Sequence, residues 1–198
     1  MIKGIIFDAG DVTLFNRPVL QDILKEFDLR REDVIKEYRS LIKRLNTGKI
    51  TEKEFWRLFK RKFNITKPTP RPSPFVKHWG PHAVEKSDVI KIVSQLKRDG
   101  YKIGLLSSTI PPHARHMRKI HFLDNFDVTV LSCEVGMNKP SQKIYRLTAG
   151  RLGISPKEAV FIDNREDFVE AAKKIGMKGI VFYNAKQLKA ELRKAMSI

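Results

Sequence analysis

Three apolar runs in this chain end on side chains that can do chemistry. Ile5-Ile6-Phe7 runs straight into Asp8, the run ending at Leu105-Leu106 meets Ser107-Ser108-Thr109, and Val160-Phe161-Ile162 meets Asp163-Asn164. A lysine, Lys139, sits in the loop "GMNKPS" that follows another apolar run, residues 128–131. A lone carboxylate beside a buried strand end is costly unless a partner compensates it. In open parallel sheets, ligands bind beyond the carboxyl ends of the strands. Carboxylate, hydroxyl and ammonium groups gathered on that one edge would form a binding site with charge of both signs.

The elements that would hold these groups alternate along the chain. Strands are predicted over residues 3–7, 102–106, 128–131, 159–162 and 179–182. Between and after them the pattern predicts helices over 83–98, about 112–120, 141–152, 165–175 and 186–196. Strands alternating with helices predict an α/β fold, with a Rossmann-like parallel sheet as the core. The alternation breaks once. Leu20, Ile23, Leu24 and Phe27 recur at helical spacing, as do Val34, Ile35, Tyr38, Leu41, Ile42 and Leu45. Thr51 with Glu54 forms a capping-box signature for a third helix that carries Phe55, Trp56, Leu58, Phe59 and Phe63. "TKPTPRPSP", residues 66–74, has four prolines and marks a connector. The expected organisation is a core of residues 1–15 and 81–198, with an α-helical insertion over 16–80 that ends in the proline-rich connector.

Composition bounds the function classes. The 198 residues hold 39 Lys and Arg against 22 Asp and Glu, a formal charge of +17, which favours anionic partners through long-range steering. No apolar run approaches the roughly 20 residues that span a bilayer, so no membrane is expected. The N-terminus enters a strand with no secretory pattern, and the single cysteine, Cys133, excludes an intrachain disulfide. Both point to the cytoplasm. Residues 16–80 carry 17 Lys and Arg against 8 Asp and Glu, with the run Lys60-Arg61-Lys62. The aromatic residues there are spaced for helix packing rather than for stacking on bases, so nucleic acid is a disfavoured partner. His113 and His116, in "HARHMRKIH", could share a helix face as metal ligands; a solvated basic helix is the simpler reading. Nothing in the pattern sets the oligomeric state.

With these motifs in order, the chain resembles the haloacid dehalogenase-like hydrolase superfamily over nearly its whole length. "IIFDAGDVTLF" is similar to the family's nucleophile motif, "IGLLSSTI" to its Ser/Thr motif, "VGMNKPSQKIY" to its lysine motif and "AVFIDNREDFVEAAKKIGM" to its acidic metal motif. The insertion resembles the small α-helical (C1-type) cap of the phosphatase branch. "TGKITEKEFW" and the "GMNKP…IY" run are similar to bacterial sugar-phosphate phosphatases of that branch. The resemblance implies a Mg²⁺-dependent phosphatase acting on a small anionic phosphorylated substrate through an aspartyl-phosphate. Asp8 would be the nucleophile. Asp8, the carbonyl of Gly10 and Asp163 would hold Mg²⁺, and Asp167, one turn on from Asp163, would bind a metal water or orient Lys139. Ser107, Ser108 and Lys139 would bind the phosphoryl group, with Lys139 neutralising charge as it transfers.

The motifs depart from the family pattern in places. The general acid usually lies two residues after the nucleophile, where this chain has Gly10, and Asp11 follows it. Asp11 is either a turn residue, which tolerates left-handed backbone, or a displaced acid/base; the turn is favoured. Ser108 replaces a usual Asn, and Asn164 a frequent second Asp. A missing general acid costs on the order of 10²–10⁴ in rate, least for good leaving groups. Two alternatives stay open: a catalytically weak or degenerate binding protein on the same fold, and a 2-haloacid dehalogenase, against which the acidic motif argues.

Overall fold

A computed structural model describes residues 1–196. Five strands form one parallel sheet: β1 (Gly4–Phe7), β2 (Lys102–Ser107), β3 (Val128–Leu131), β4 (Ala159–Asp163) and β5 (Lys178–Val181), in the order β3-β2-β1-β4-β5. The central strand reads GIIF and is buried throughout, as a strand covered on both faces must be. Its side chains alternate between two apolar layers. Ile5 and Phe7 join one, with residues of α5 (Ser87–Arg98) and α10 (Ala185–Met196). Ile6 joins the other, with residues of α8 (Gln142–Arg151) and α9 (Glu166–Lys173). The α/β, Rossmann-like architecture expected from the alternation is the one observed.

Two strands extend further than the apolar runs predict. Ser107 pairs with Leu131 and Asp163 with Val181 in the sheet register, so both polar residues are the last rungs of their strands. The chain runs outward from β1 to β2 to β3, then returns to β4 on the other side of β1. Asp8 and Asp163 therefore flank the switch point of the sheet, where open α/β sheets bind ligands.

Residues 16–80 contain four helices, α1 (Leu20–Phe27), α2 (Arg31–Asn46), α3 (Glu52–Lys62) and α4 (Pro74–Trp79). The side chain of Thr51 caps α3 by accepting from the Glu54 N–H at 3.1 Å. The prolines of the connector hold residues 66–73 out of any helix, and Pro74 opens α4, where its missing N–H costs nothing. Phe55, Trp56, Phe59 and Phe75 pack beneath these helices in edge-to-face, tilted and stacked contacts, and their cluster is continuous with the first apolar layer of the sheet. Across the helices, Glu26 of α1 accepts from Lys77 and His78 of α4 at 2.8 and 2.9 Å.

The predicted helix over 83–98 starts later, at Ser87. Residues 84–86 are instead drawn against residues 13–15: the Phe15 N–H donates to the Val84 carbonyl at 2.8 Å and the Lys86 N–H to the Thr13 carbonyl at 3.0 Å. This antiparallel pairing forms a two-stranded neck through which the helical segment leaves and re-enters. The helix near 112–120 is α6 (Pro111–Lys119). One further short helix, α7 (Ser132–Val135), follows β3 directly and ends at Gly136, whose φ of +70° suits glycine. Gly48, just past α2, has φ +63° and sits so close to α7 that a Cβ there would lie 2.5 Å from the Cys133 carbonyl oxygen. That approach seats the end of α2 against the sheet layer.

Candidate active site

The strand ends open into a cavity of about 400 Å³. Asp8, Gly10, Asp11, Ser107, Ser108, Lys139 and Asp163 all line it, so the structure brings seven of the eight predicted site residues to one place. At its floor, Lys139 Nζ donates to Asp8 Oδ1 and to Asp163 Oδ2, each at 2.6 Å. The Lys139 and Asp163 side chains are both 1% exposed. Lys139 reaches them from the loop between α7 and α8, and its ammonium also lies over the Phe161 and Phe168 rings, 5.6 and 5.0 Å from their centroids. The backbone N–H of Arg165 holds the other oxygen of Asp163 at 2.9 Å.

Two carboxylates share one ammonium here, so the floor carries one more negative charge than positive. Burial pushes the Asp8 carboxyl up to about 6, Lys139 opposes that shift, and the neighbouring Asp163 charge adds to it. A divalent cation would relieve the excess. The donors fit one of the magnesium type, which takes hard oxygen ligands, commonly one or two carboxylates completed by water and substrate oxygens.

Asp11 is held as a turn residue. Its φ is +61°, its N–H donates to the Leu14 carbonyl at 2.8 Å, and its Oδ1 accepts from the Asn16 N–H at 3.3 Å. Lys86 Nζ caps the Asp11 carbonyl at 2.6 Å. A Cβ built on Gly10 would meet Asn16 Nδ2 at 3.5 Å, an ordinary contact. Thr13 Oγ1 donates to the Asp8 carbonyl at 2.8 Å and ties the loop back to the strand end.

Asp167 does not take the second of its two expected roles, orienting Lys139. It does not reach Lys139, and it lies outside the residues lining the cavity. It sits in the first turn of α9, where the Arg165 guanidinium takes both of its oxygens, at 3.0 and 2.7 Å. That pair holds its carboxyl below the usual range. Arg165 is pinned in turn over the Phe168 ring, 3.9 Å from its centroid. Lys139 is oriented by Asp8 and Asp163 instead.

Other wall residues lie outside the four motifs. Asn16, Asn46 and Trp79 come from the helical segment, and His113 from α6. His113 is not on a solvated face: its ring stacks on Trp79, with centroids 3.9 Å apart and planes 14° apart. Burial pushes its imidazole down to about 3. Trp79 Nε1 donates to Asn16 Oδ1 at 2.9 Å. Ser132 Oγ ties the Thr109 backbone, accepting from its N–H at 2.9 Å and donating to its carbonyl at 3.1 Å. No signal marks Trp79 or Asn46 because each lies in a segment remote in sequence from the strand ends.

The chain is similar to known proteins in sequence and in fold. A family model described as haloacid dehalogenase-like hydrolase matches residues 2–176. A curated glyceraldehyde 3-phosphate phosphatase of Methanopyrus kandleri is 28% identical over 89% of this chain and 82% of its own length. A predicted HAD-like family hydrolase from Porphyromonas gingivalis superposes with a TM-score of 0.81, at 23% identity, over 99% of this chain and 98% of that one. A HAD family enzyme of Bacteroides thetaiotaomicron, solved in complex with magnesium and inorganic phosphate, superposes with a TM-score of 0.78 at 22% identity, over 95% and 99%.

Proposed function

Since the chain belongs to the haloacid dehalogenase-like hydrolase family, we propose that it is a Mg²⁺-dependent phosphatase that hydrolyses a small phosphate ester, a sugar phosphate or similar, through an aspartyl-phosphate at Asp8. The observation that carries this reading is the buried Asp8–Lys139–Asp163 group at the switch point of the sheet. The relatives add to it. The Methanopyrus kandleri protein is a phosphatase of a phosphorylated triose, and the Bacteroides thetaiotaomicron structure holds magnesium and phosphate.

Asp8, Asp163 and the Gly10 carbonyl would hold the metal, which when bound supplies positive charge to the phosphoryl oxygens. Lys139 occupies Asp8 Oδ1 and leaves Oδ2 to attack phosphorus. The new Oδ2–P bond forms as the ester P–O bond breaks, and the electron pair leaves with the ester oxygen. Ser107 would donate to a phosphoryl oxygen, and Lys139 would hold the same group. Lys139 balances the charge spread over the phosphoryl oxygens. A water oxygen then bonds to phosphorus as the Oδ2–P bond breaks; its electron pair restores the Asp8 carboxylate, the water's proton passes to solvent, and inorganic phosphate leaves. Residues 16–80 would serve as the cap over the cavity, excluding water during transfer. The net charge of +17 would steer anionic esters towards it.

A second reading, a catalytically weak site, is favoured by Gly10. It places no side chain over the leaving group, and the side chain nearest that space is the Asn16 amide, which cannot give up a proton at neutral pH. A dehalogenase reading fits less well, because that chemistry needs no metal, whereas the two carboxylates around Lys139 suit one.

The deciding experiment is hydrolysis of p-nitrophenyl phosphate and a sugar-phosphate panel, with Mg²⁺ and with chelator, by the wild type and by Asp8→Asn. Turnover that needs Mg²⁺ and vanishes in Asp8→Asn is expected. Chelator-insensitive turnover, or an active Asp8→Asn, would overturn the reading.

A further inference from the structure

A second cavity, of about 220 Å³, adjoins the first beneath the end of α2. The two share the wall formed by Asn16, Asn46, Ser108, Thr109 and His113. On that wall lie two buried polar atoms without a hydrogen-bond partner, Ser108 Oγ and His113 Nε2. A buried polar group left unpaired costs free energy, so a pair of them on one cavity wall calls for a ligand group between them.

Their chemistry says which group. Burial keeps the His113 ring neutral, so its unpartnered Nε2 presents a lone pair in the Nδ1–H tautomer. The Ser108 hydroxyl can donate or accept. Trp79 occupies Asn16 Oδ1, so the amide group that Asn16 has left to offer is its Nδ2–H₂ donor. An alcohol hydroxyl, which is donor and acceptor at once, satisfies such a set; a phosphate or a bare hydrocarbon does not.

The charges on these walls point the same way. The cations there are Lys139, Arg165 and Arg17, and each is already paired: Lys139 with Asp8 and Asp163, Arg165 with Asp167, and Arg17 with Asp22 at 2.9 Å. Among the described residues, the walls hold no unpaired cation for a second phosphate. The strong positive charge of the chain lies elsewhere.

We propose that His113 and Ser108 read a hydroxyl of the leaving group, so that the site selects monophosphates of neutral, polyhydroxylated compounds over alkyl phosphates and over bisphosphates. The proposal rests on the phosphatase reading above. His113 is then a specificity-determining residue, accepting a hydrogen bond from the substrate in a stacked, uncharged ring.

The test is a steady-state comparison with Mg²⁺ across C3 to C6 polyol and sugar monophosphates, chain-matched alkyl phosphates, the corresponding bisphosphates and p-nitrophenyl phosphate. The best hydroxylated monophosphate is expected to have a KM about tenfold or more below its alkyl match, because a site built to pair a hydroxyl rejects the analogue that lacks it. Its kcat/KM is also expected to exceed that of its bisphosphate. In His113→Leu the loss of kcat/KM should be about tenfold larger on the hydroxylated substrate than on p-nitrophenyl phosphate. Hydrolysis of p-nitrophenyl phosphate with no KM advantage for hydroxylated esters, or with bisphosphates preferred, would overturn the proposal while leaving the phosphatase reading intact. Equal losses on both substrates in His113→Leu would overturn the role of His113. No Mg²⁺-dependent hydrolysis of any ester would instead sink the phosphatase reading and this proposal with it. If His113→Leu fails to fold, the wild-type comparison of substrates still decides.

Discussion

Asp8 and Asp163 stand at the ends of adjacent parallel strands and are held together by one side chain, Lys139, whose Nζ lies 2.6 Å from an oxygen of each. Two carboxylates this close repel unless a cation sits between them. Lys139 supplies one positive charge for two negative ones.

Lys139→Met removes that charge and leaves two buried carboxylates uncompensated. Breaking a buried ion pair by deleting one partner costs about 3–5 kcal/mol. Denaturation in urea with chelator should show a loss of that order at pH 8. Loss of Lys139 lets the already raised Asp8 carboxyl rise further, so acidification protonates Asp8 and relieves the repulsion. The deficit should therefore shrink at pH 5.5; a deficit that grows on acidification would contradict the charge account.

Asp163→Asn keeps the shape of the floor and removes one negative charge. The Mg²⁺ concentration for half-maximal activity should rise by at least the about tenfold to hundredfold that loss of an outer-shell partner costs. Activity titrations and direct calorimetry of Mg²⁺ binding would show it. An unchanged metal requirement would remove Asp163 from the ligand set.

Asp11→Asn should leave activity and thermal stability nearly unchanged, since Asn also accepts the left-handed backbone at φ +61° and can still accept from the Asn16 N–H. A loss that grows as the leaving group worsens would identify Asp11 as the acid.

Gly10→Asp is its complement. The open contact at Gly10 admits a Cβ, and the new carboxylate would lie beside Asn16 Nδ2. Turnover of alkyl esters should gain more than turnover of p-nitrophenyl phosphate, within the roughly 10²–10⁴ that general acid catalysis provides.

His113 makes stability depend on pH. Burial lowers its pKa in the folded protein to about 3, well below the value in the unfolded chain, and His116 lies close enough to add to the shift. Between those values the unfolded state binds the extra proton. The contribution of His113 is therefore complete above the unfolded pKa of about 6.5 and is lost as pH falls towards the folded value. Thermal melts between pH 7 and 5 should show a falling Tm, and His113→Gln should flatten that slope.

Much of the floor of this site is legible in the sequence, because a polar residue directly after a buried apolar run must find a partner or a ligand to offset its lost hydration. Asp8, Ser107 and Asp163 are of that kind. Asp167 has the right helical spacing from Asp163, but spacing does not reveal that Arg165, two residues away, takes its carboxylate first. The helix predicted from residue 83 fails for a similar reason. Val84 to Lys86 are compatible with a helix, yet pairing with residues 13–15 wins. The walls are the least legible part: Asn16, Asn46, Trp79 and His113 come from separate segments, and only packing brings them together. The stacking of Trp79 on His113 joins residues of α4 and α6 that no local period connects.

The paired neck has one more consequence. The excursion between Phe15 and Val84 starts and finishes at the same point, since those two residues share a 2.8 Å hydrogen bond. Closing a flexible loop costs only about 0.6 kcal/mol more for each doubling of its length. The entropy of closing the excursion therefore says little about its length. What ties its contents to the floor is packing, through the aromatic cluster that continues into the sheet's apolar layer and the approach of Gly48 to Cys133.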